Sequence, residues 1–100
     1  MKLFMRLLLL VSTLGMFTFG VVLRGRVEDA KCAPNRAKVD FSPACARRCV
    51  RKGIAPVLFA RNHIYPVANP KALAPFAGDW VKVVGVFRHH RLVVRKVTKL

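Results

Sequence analysis

The residues with the widest chemical range in this chain are its three cysteines, Cys32, Cys45 and Cys49. A thiol can pair covalently, hold a soft metal as its thiolate, or attack an electrophile when its pKa is low. Cys45 and Cys49 stand one helical turn apart, and a bond between them inside a regular helix would be strained, so Cys32 is the better disulfide partner for either. Such a bond closes a loop of about 14 to 18 residues and stabilises by about 3 kcal/mol in the chain-entropy model. A metal site is the second arrangement: Cys32, Cys45 and Cys49 plus an imidazole from His63, His89 or His90 make a Cys3His set, although the spacing is not that of a zinc finger. A redox thiol is the third, with Arg47, Arg48 and Lys52 lowering a cysteine pKa. The Cys-x3-Cys spacing departs from the Cys-x2-Cys of thioredoxin-like enzymes.

The second chemistry is electrostatic. Nineteen Lys and Arg stand against four Asp and Glu, a formal charge of +15 that favours phosphates, anionic lipid or acidic polymers as partners. Two clusters concentrate it: Arg61 with His63, and Arg88, His89, His90 and Arg91. Phe59 and Tyr65 flank the first and could stack on a ligand's rings. The competing reading makes Phe59 and Tyr65 core residues and the charges a solvated face. Enzyme chemistry is poorly provided for. Carboxylates are few, the only serines are Ser12 and Ser42, and neither a glycine-rich phosphate loop nor a His-x-x-x-His motif is present. The expectation is a non-enzymatic protein with no cofactor.

The elements that would position these residues begin with an export signal. Lys2 and Arg6 precede an uncharged, mostly apolar stretch from Leu7 to Leu23, and small residues flank a cleavage site after Gly20. Residues 1–20 are expected to be a signal peptide. The alternative is a membrane anchor over residues 7–23, since seventeen residues reach the short limit of a spanning helix. Either makes the protein periplasmic or secreted, or held at the inner membrane. Residues 21–100 are then one domain of about 80 residues, a size that benefits from a staple. Val21, Leu23, Gly25 and Val27 alternate with Val22, Arg24, Arg26 and Glu28 as a strand does. Ser42, Pro43 and Gly53 bracket a helix by N-cap, first-turn and left-handed stop preferences. Pro56 to Ala60 and His63 to Val67 flank Arg61-Asn62 as a hairpin. Asn69-Pro70 opens a short helical stretch, and Trp80 to Phe87 with Arg91 to Thr98 forms a second hairpin. The expected fold is mainly β with short helices: a small five-stranded OB-like barrel with the cysteine-bearing helix inserted after its first strand, preceded by an N-terminal hydrophobic helix.

Several of these residues also form a pattern. Gly25, Val27, Asp29 and Cys32 make Gly-x-Val-x-Asp-x-x-Cys; Cys45, Cys49 and Gly53 make Cys-x3-Cys-x3-Gly; Gly78, Val81, Val83 and Gly85 end the series in Gly-x-x-Val-x-Val-x-Gly. In this order they resemble a family of small exported bacterial proteins of uncharacterised function. The family pattern carries a His shortly after the first Cys, where this chain has Arg36. The resemblance implies an OB-like fold and an exported location, and no activity. The functional expectation is therefore an exported binding or structural module of the envelope, with anionic lipid or envelope polymer as partner. An OB-fold nucleic-acid-binding protein and a Cys/His metal-binding envelope protein are the alternatives.

Overall fold

The computed structural model describes residues 20–35 and 40–100. The expected N-terminal hydrophobic helix of residues 1–20, apart from Gly20, and Arg36 lie outside the described residues. The remainder is a small, mainly-β protein: β1 (Val21–Asp29), α1 (Pro43–Arg51), β2 (Pro56–Ala60), β3 (His63–Tyr65), β4 (Trp80–Arg88) and β5 (Arg91–Lys99), with single 3-10 turns at Ala33–Asn35, Pro70–Ala72 and Ala74–Phe76. The strands form one antiparallel sheet in the order β3-β2-β1-β4-β5.

β1 is the central strand of the sheet, and its side chains alternate between the two faces. Leu23 and Val27 point inward and are buried, whereas Val22 and Arg24 are exposed. The inward side meets Leu58 and Ala60 from β2, Val81 and Val83 from β4, and Leu92 and Val94 from β5, and Leu73 closes the core from the β3–β4 connection. Gly25 is needed for close approach: a Cβ there would stand 2.2 Å from the carbonyl oxygen of Phe59. Gly85 plays the same part on β4, where a Cβ would lie 2.3 Å from the Val93 oxygen, beside a register shift between Val84 and Gly85.

The end of β3 differs from the sequence expectation, and proline explains it. β3 stops at Tyr65 rather than Val67 because Pro66 has no amide to continue the ladder. The chain turns instead onto β5: Leu92 N donates to Pro66 O at 2.8 Å, Ala68 N donates to Leu92 O at 2.9 Å, and Val67 bridges Leu92 in parallel. Asn69 stands at the start of the short 3-10 turn Pro70–Ala72, as expected, but its side chain makes no cap there. Its side-chain amide pairs with β5 as a strand would, donating to Val94 O and accepting from Val94 N, both at 2.8 Å.

The expected start and stop of α1 are present. Ser42 Oγ accepts from Cys45 N at 3.2 Å, Pro43 occupies the first turn, and Gly53 adopts φ 97° just past the end. The two hairpin turns are less orthodox. Arg61 and Asn62 (φ 52° and 62°) and His89 and His90 (φ 51° and 63°) make type I′-like turns without glycine. Each non-glycine residue in this region costs about 1 kcal/mol. Replacing His89 by Asn and His90 by Gly is therefore expected to stabilise the domain by about 1 kcal/mol. The check is a higher urea midpoint at unchanged slope. An unchanged or lower midpoint would show that the histidines hold the turn by contacts of their own.

Candidate thiol cluster and basic rim

The end of β1, the loop that follows it and α1 bring the cysteines together. Asp29, buried at 2% exposure, accepts the backbone amide of Cys32 at 2.9 Å through Oδ2 and so fixes the direction in which the chain leaves the strand. α1 packs against β1 and presents Cys45 and Cys49 from successive turns toward Cys32. The three Sγ atoms all lie within 4.8 Å of one another, and each residue is half-buried. All three are free thiols in the structure, not a disulfide and a remaining thiol.

His63 is not part of this cluster. It pairs with Ala60 at one end of β2, whereas Asp29 pairs with Pro56 at the other. Four residues of strand separate those two levels, about 13 Å. His89 and His90 lie on the β4–β5 turn, and among the described residues only Cys32, Cys45 and Cys49 form a group of ligand-type side chains. A Cys3His set drawn from these histidines therefore does not assemble.

The electrostatics also run against a reactive thiolate. Burial first, then the hydrogen bond to Asp29 and its negative charge, with a smaller contribution from Cys45, raise the Cys32 thiol from 9.0 to about 11. Burial, Asp29 and Cys45 raise Cys49 as well, against a lowering by Lys31. The lowering by Arg47, Arg48 and Lys52 expected from sequence does not prevail in either thiol. A raised folded-state pKa stabilises the fold below the unfolded value and is lost as pH climbs through the folded one. The reduced, metal-free protein should thus lose stability between pH 9.0 and about 11, and Cys32→Ser should show a shallower fall over that window. Parallel thermal melts of the two proteins measure it. Identical slopes would remove Asp29 and burial as the cause.

The two basic clusters picked out from the sequence lie together at the opposite end of the sheet. Arg61 and His63 at the β2–β3 tip and Arg88, His89, His90 and Arg91 at the β4–β5 tip are all exposed. The rings of Tyr65 and Phe87 meet with centroids 5.7 Å apart, and His63 stands edge-on to Tyr65 at 6.3 Å, which joins the two tips into one rim. β1 begins here. Val21 pairs with Gly85, so Arg88 lies three residues beyond the level of Val21, while Arg61, two past the Phe59–Arg26 pair, falls level with Arg24.

Phe59 and Tyr65 do not form one platform. Leu58 pairs with Tyr65 and Phe59 with Ile64, so the two rings project from opposite faces of the sheet. Tyr65 packs against the core, as the competing reading held, and its outer edge meets Phe87. Phe59 instead lies against the Arg26 guanidinium, whose carbon sits 4.5 Å from the Phe41 ring centre, 4.9 Å from Phe59 and 5.4 Å from Trp80. Arg26 also pairs at 3.2 Å with Glu28, a fully buried carboxylate. Sequence reasoning left Phe87 and Asp29 without roles. Phe87 ends the inward series Val81, Val83, Gly85, and Asp29 precedes Cys32 at the three-residue spacing of a side-chain-to-amide turn.

Comparison with protein-family models, with curated proteins and with solved structures finds no match. Fold and site define the class on their own: a small, basic, mainly-β protein with a thiol cluster at one end of its sheet and a cationic, partly aromatic rim at the other. Among the described residues, no helix is long and apolar enough to cross a membrane.

Proposed function

We propose that this chain is an exported, non-enzymatic binding module of the bacterial envelope, and that its basic rim docks on an anionic lipid surface. The single observation that carries the reading is the convergence of both basic tips at the end of the sheet where β1 begins. Residues 1–20, read as a signal or anchor, precede β1 at that end, so a retained anchor would hold Arg61, Arg88 and Arg91 toward the headgroups. In this reading the fold is an OB-like barrel. The order β3-β2-β1-β4-β5, the parallel bridge from Val67 to Leu92 and the short 3-10 turns between β3 and β4 support it, with α1 as the insertion. The non-enzymatic part rests on structural roles for three of the four carboxylates: Glu28 pairs with Arg26, Asp29 holds the Cys32 amide, and Asp79 pairs with Arg47 and Lys99.

The test is co-sedimentation with phosphatidylcholine vesicles and with vesicles containing phosphatidylglycerol, over a salt series. The apolar segment binds both kinds, so the difference between them reports the basic rim. The expected result is a preference for anionic vesicles that falls with salt, because screening shortens the surface field to about 8 Å at 0.15 M. A DNA oligonucleotide is run under the same conditions. Tighter binding to DNA that weakens on Tyr65→Ala would move the assignment to nucleic acid through lost stacking. Equal binding to both vesicle types would reduce the charge to a solvated surface.

A further inference from the structure

The thiol cluster at the far end from the basic rim has a geometry that a covalent bond does not account for. Cys32 is set by its amide's hydrogen bond to buried Asp29, and Cys45 and Cys49 are set by a helix that Ser42 caps. Two separately anchored segments thus aim three sulfurs at one point, and a disulfide would use only two of them. A metal–sulfur bond of about 2.3 Å requires sulfurs about 3.8 Å apart in a tetrahedral site and about 4.0 Å apart in a trigonal one. The Sγ atoms, all within 4.8 Å of one another, reach that spacing by closing at most about 1 Å, within small side-chain rotations.

We propose that Cys32, Cys45 and Cys49 bind one soft d10 cation, Zn(II) or Cu(I), as a three-thiolate site. Thiolates select these ions over hard cations. Binding releases three thiol protons, forms three metal–sulfur bonds and changes no oxidation state. The partial exposure of all three cysteines leaves a side open to solvent, so zinc would complete its tetrahedron with water, whereas Cu(I) would be satisfied by three sulfurs. Asp29 is a positioning residue, orienting Cys32 through its amide.

The experiment uses the full chain, purified reduced with oxygen excluded, and titrated separately with Zn(II) and Cu(I) against a colorimetric chelator for each. The expected result is one ion per chain, protection of all three thiols from alkylation, and a thiolate-to-metal charge-transfer band when Co(II) replaces zinc. Cys45→Ser should weaken binding on the order of 100-fold or more, because even outer partners of metal ligands are worth 10- to 100-fold. His63→Ala should leave affinity unchanged. Stoichiometry and thiol protection are read on the parent protein, so a poorly folded variant does not blunt the test. Failure of both ions to compete at one per chain would overturn the proposal. So would envelope-purified protein lighter by two hydrogens with one alkylatable thiol, which is the disulfide, and so would a loss of affinity on His63→Ala. None of these outcomes bears on the vesicle assay.

Discussion

Gly25→Ala should destabilise the domain by about 3 kcal/mol or more, the upper range for forcing atoms into a packed site. The new methyl would stand 2.2 Å from Phe59 O, 2.9 Å from Phe59 C and 2.8 Å from Ala60 Cβ. Two of these are backbone atoms of the neighbouring strand, so no rotamer change relieves the clash. Relief requires β1 and β2 to separate, and their pairing from Arg26–Phe59 to Asp29–Pro56 carries the Asp29 turn that fixes Cys32. Small domains possess about 5 to 15 kcal/mol in total, so the loss is a large share. Gly53→Ala is the comparison. Nothing lies within 4 Å of a Cβ there, and only the φ of 97° opposes it, at about 1 to 2 kcal/mol. Urea unfolding of both variants against the parent gives the two costs. A Gly25→Ala loss no larger than that of Gly53→Ala would mean that β2 shifts freely and that the sheet is not tightly coiled at this point.

Local signals carried most of the fold. Alternation along Val21–Asp29 marked both the strand and its inward face, and Ser42, Pro43 and Gly53 bracketed α1 because capping chemistry acts within one turn. The features that escaped depend on register or on contacts between distant segments. Phe59 and Tyr65 look like companions in sequence, yet the two-residue turn at Arg61-Asn62 sets a register that sends them to opposite faces. The sequence expectation carries β3 through Pro66 to Val67, although proline has no amide for the ladder. That the chain then lies parallel to β5, with Asn69 imitating a strand, needed Leu92 and Val94 in place. The cysteines divide the same way. Helical spacing put Cys45 and Cys49 on one side and disulfide geometry nominated Cys32 as a partner, but only the fold brings all three sulfurs within 4.8 Å of one another and shows the buried Asp29 that raises the Cys32 pKa.

Replacing Arg61, Arg88 and Arg91 together by Ser should weaken binding to anionic vesicles by about 100-fold near physiological salt. Each basic residue near an anionic leaflet contributes about 1 kcal/mol, so three remove about 3 kcal/mol. All three are exposed, so the fold should survive the change. The informative control removes the same charge elsewhere: Arg48, Arg51 and Lys52, exposed on α1 and just after it, sit at the opposite end of β1. If the net charge of +15 acted as one diffuse field, the two triple variants would lose affinity equally. Docking by the rim predicts a strong loss for the first and a loss below about tenfold for the second, because surface fields decay within a Debye length of about 8 Å. The salt slope should separate them too. The rim variant should lose most of the parent's dependence on ionic strength and the α1 variant should retain it. Equal losses in both would leave the protein basic without a docking face, and a larger loss for the α1 variant would turn the domain over on the membrane, with the thiol cluster toward the lipid.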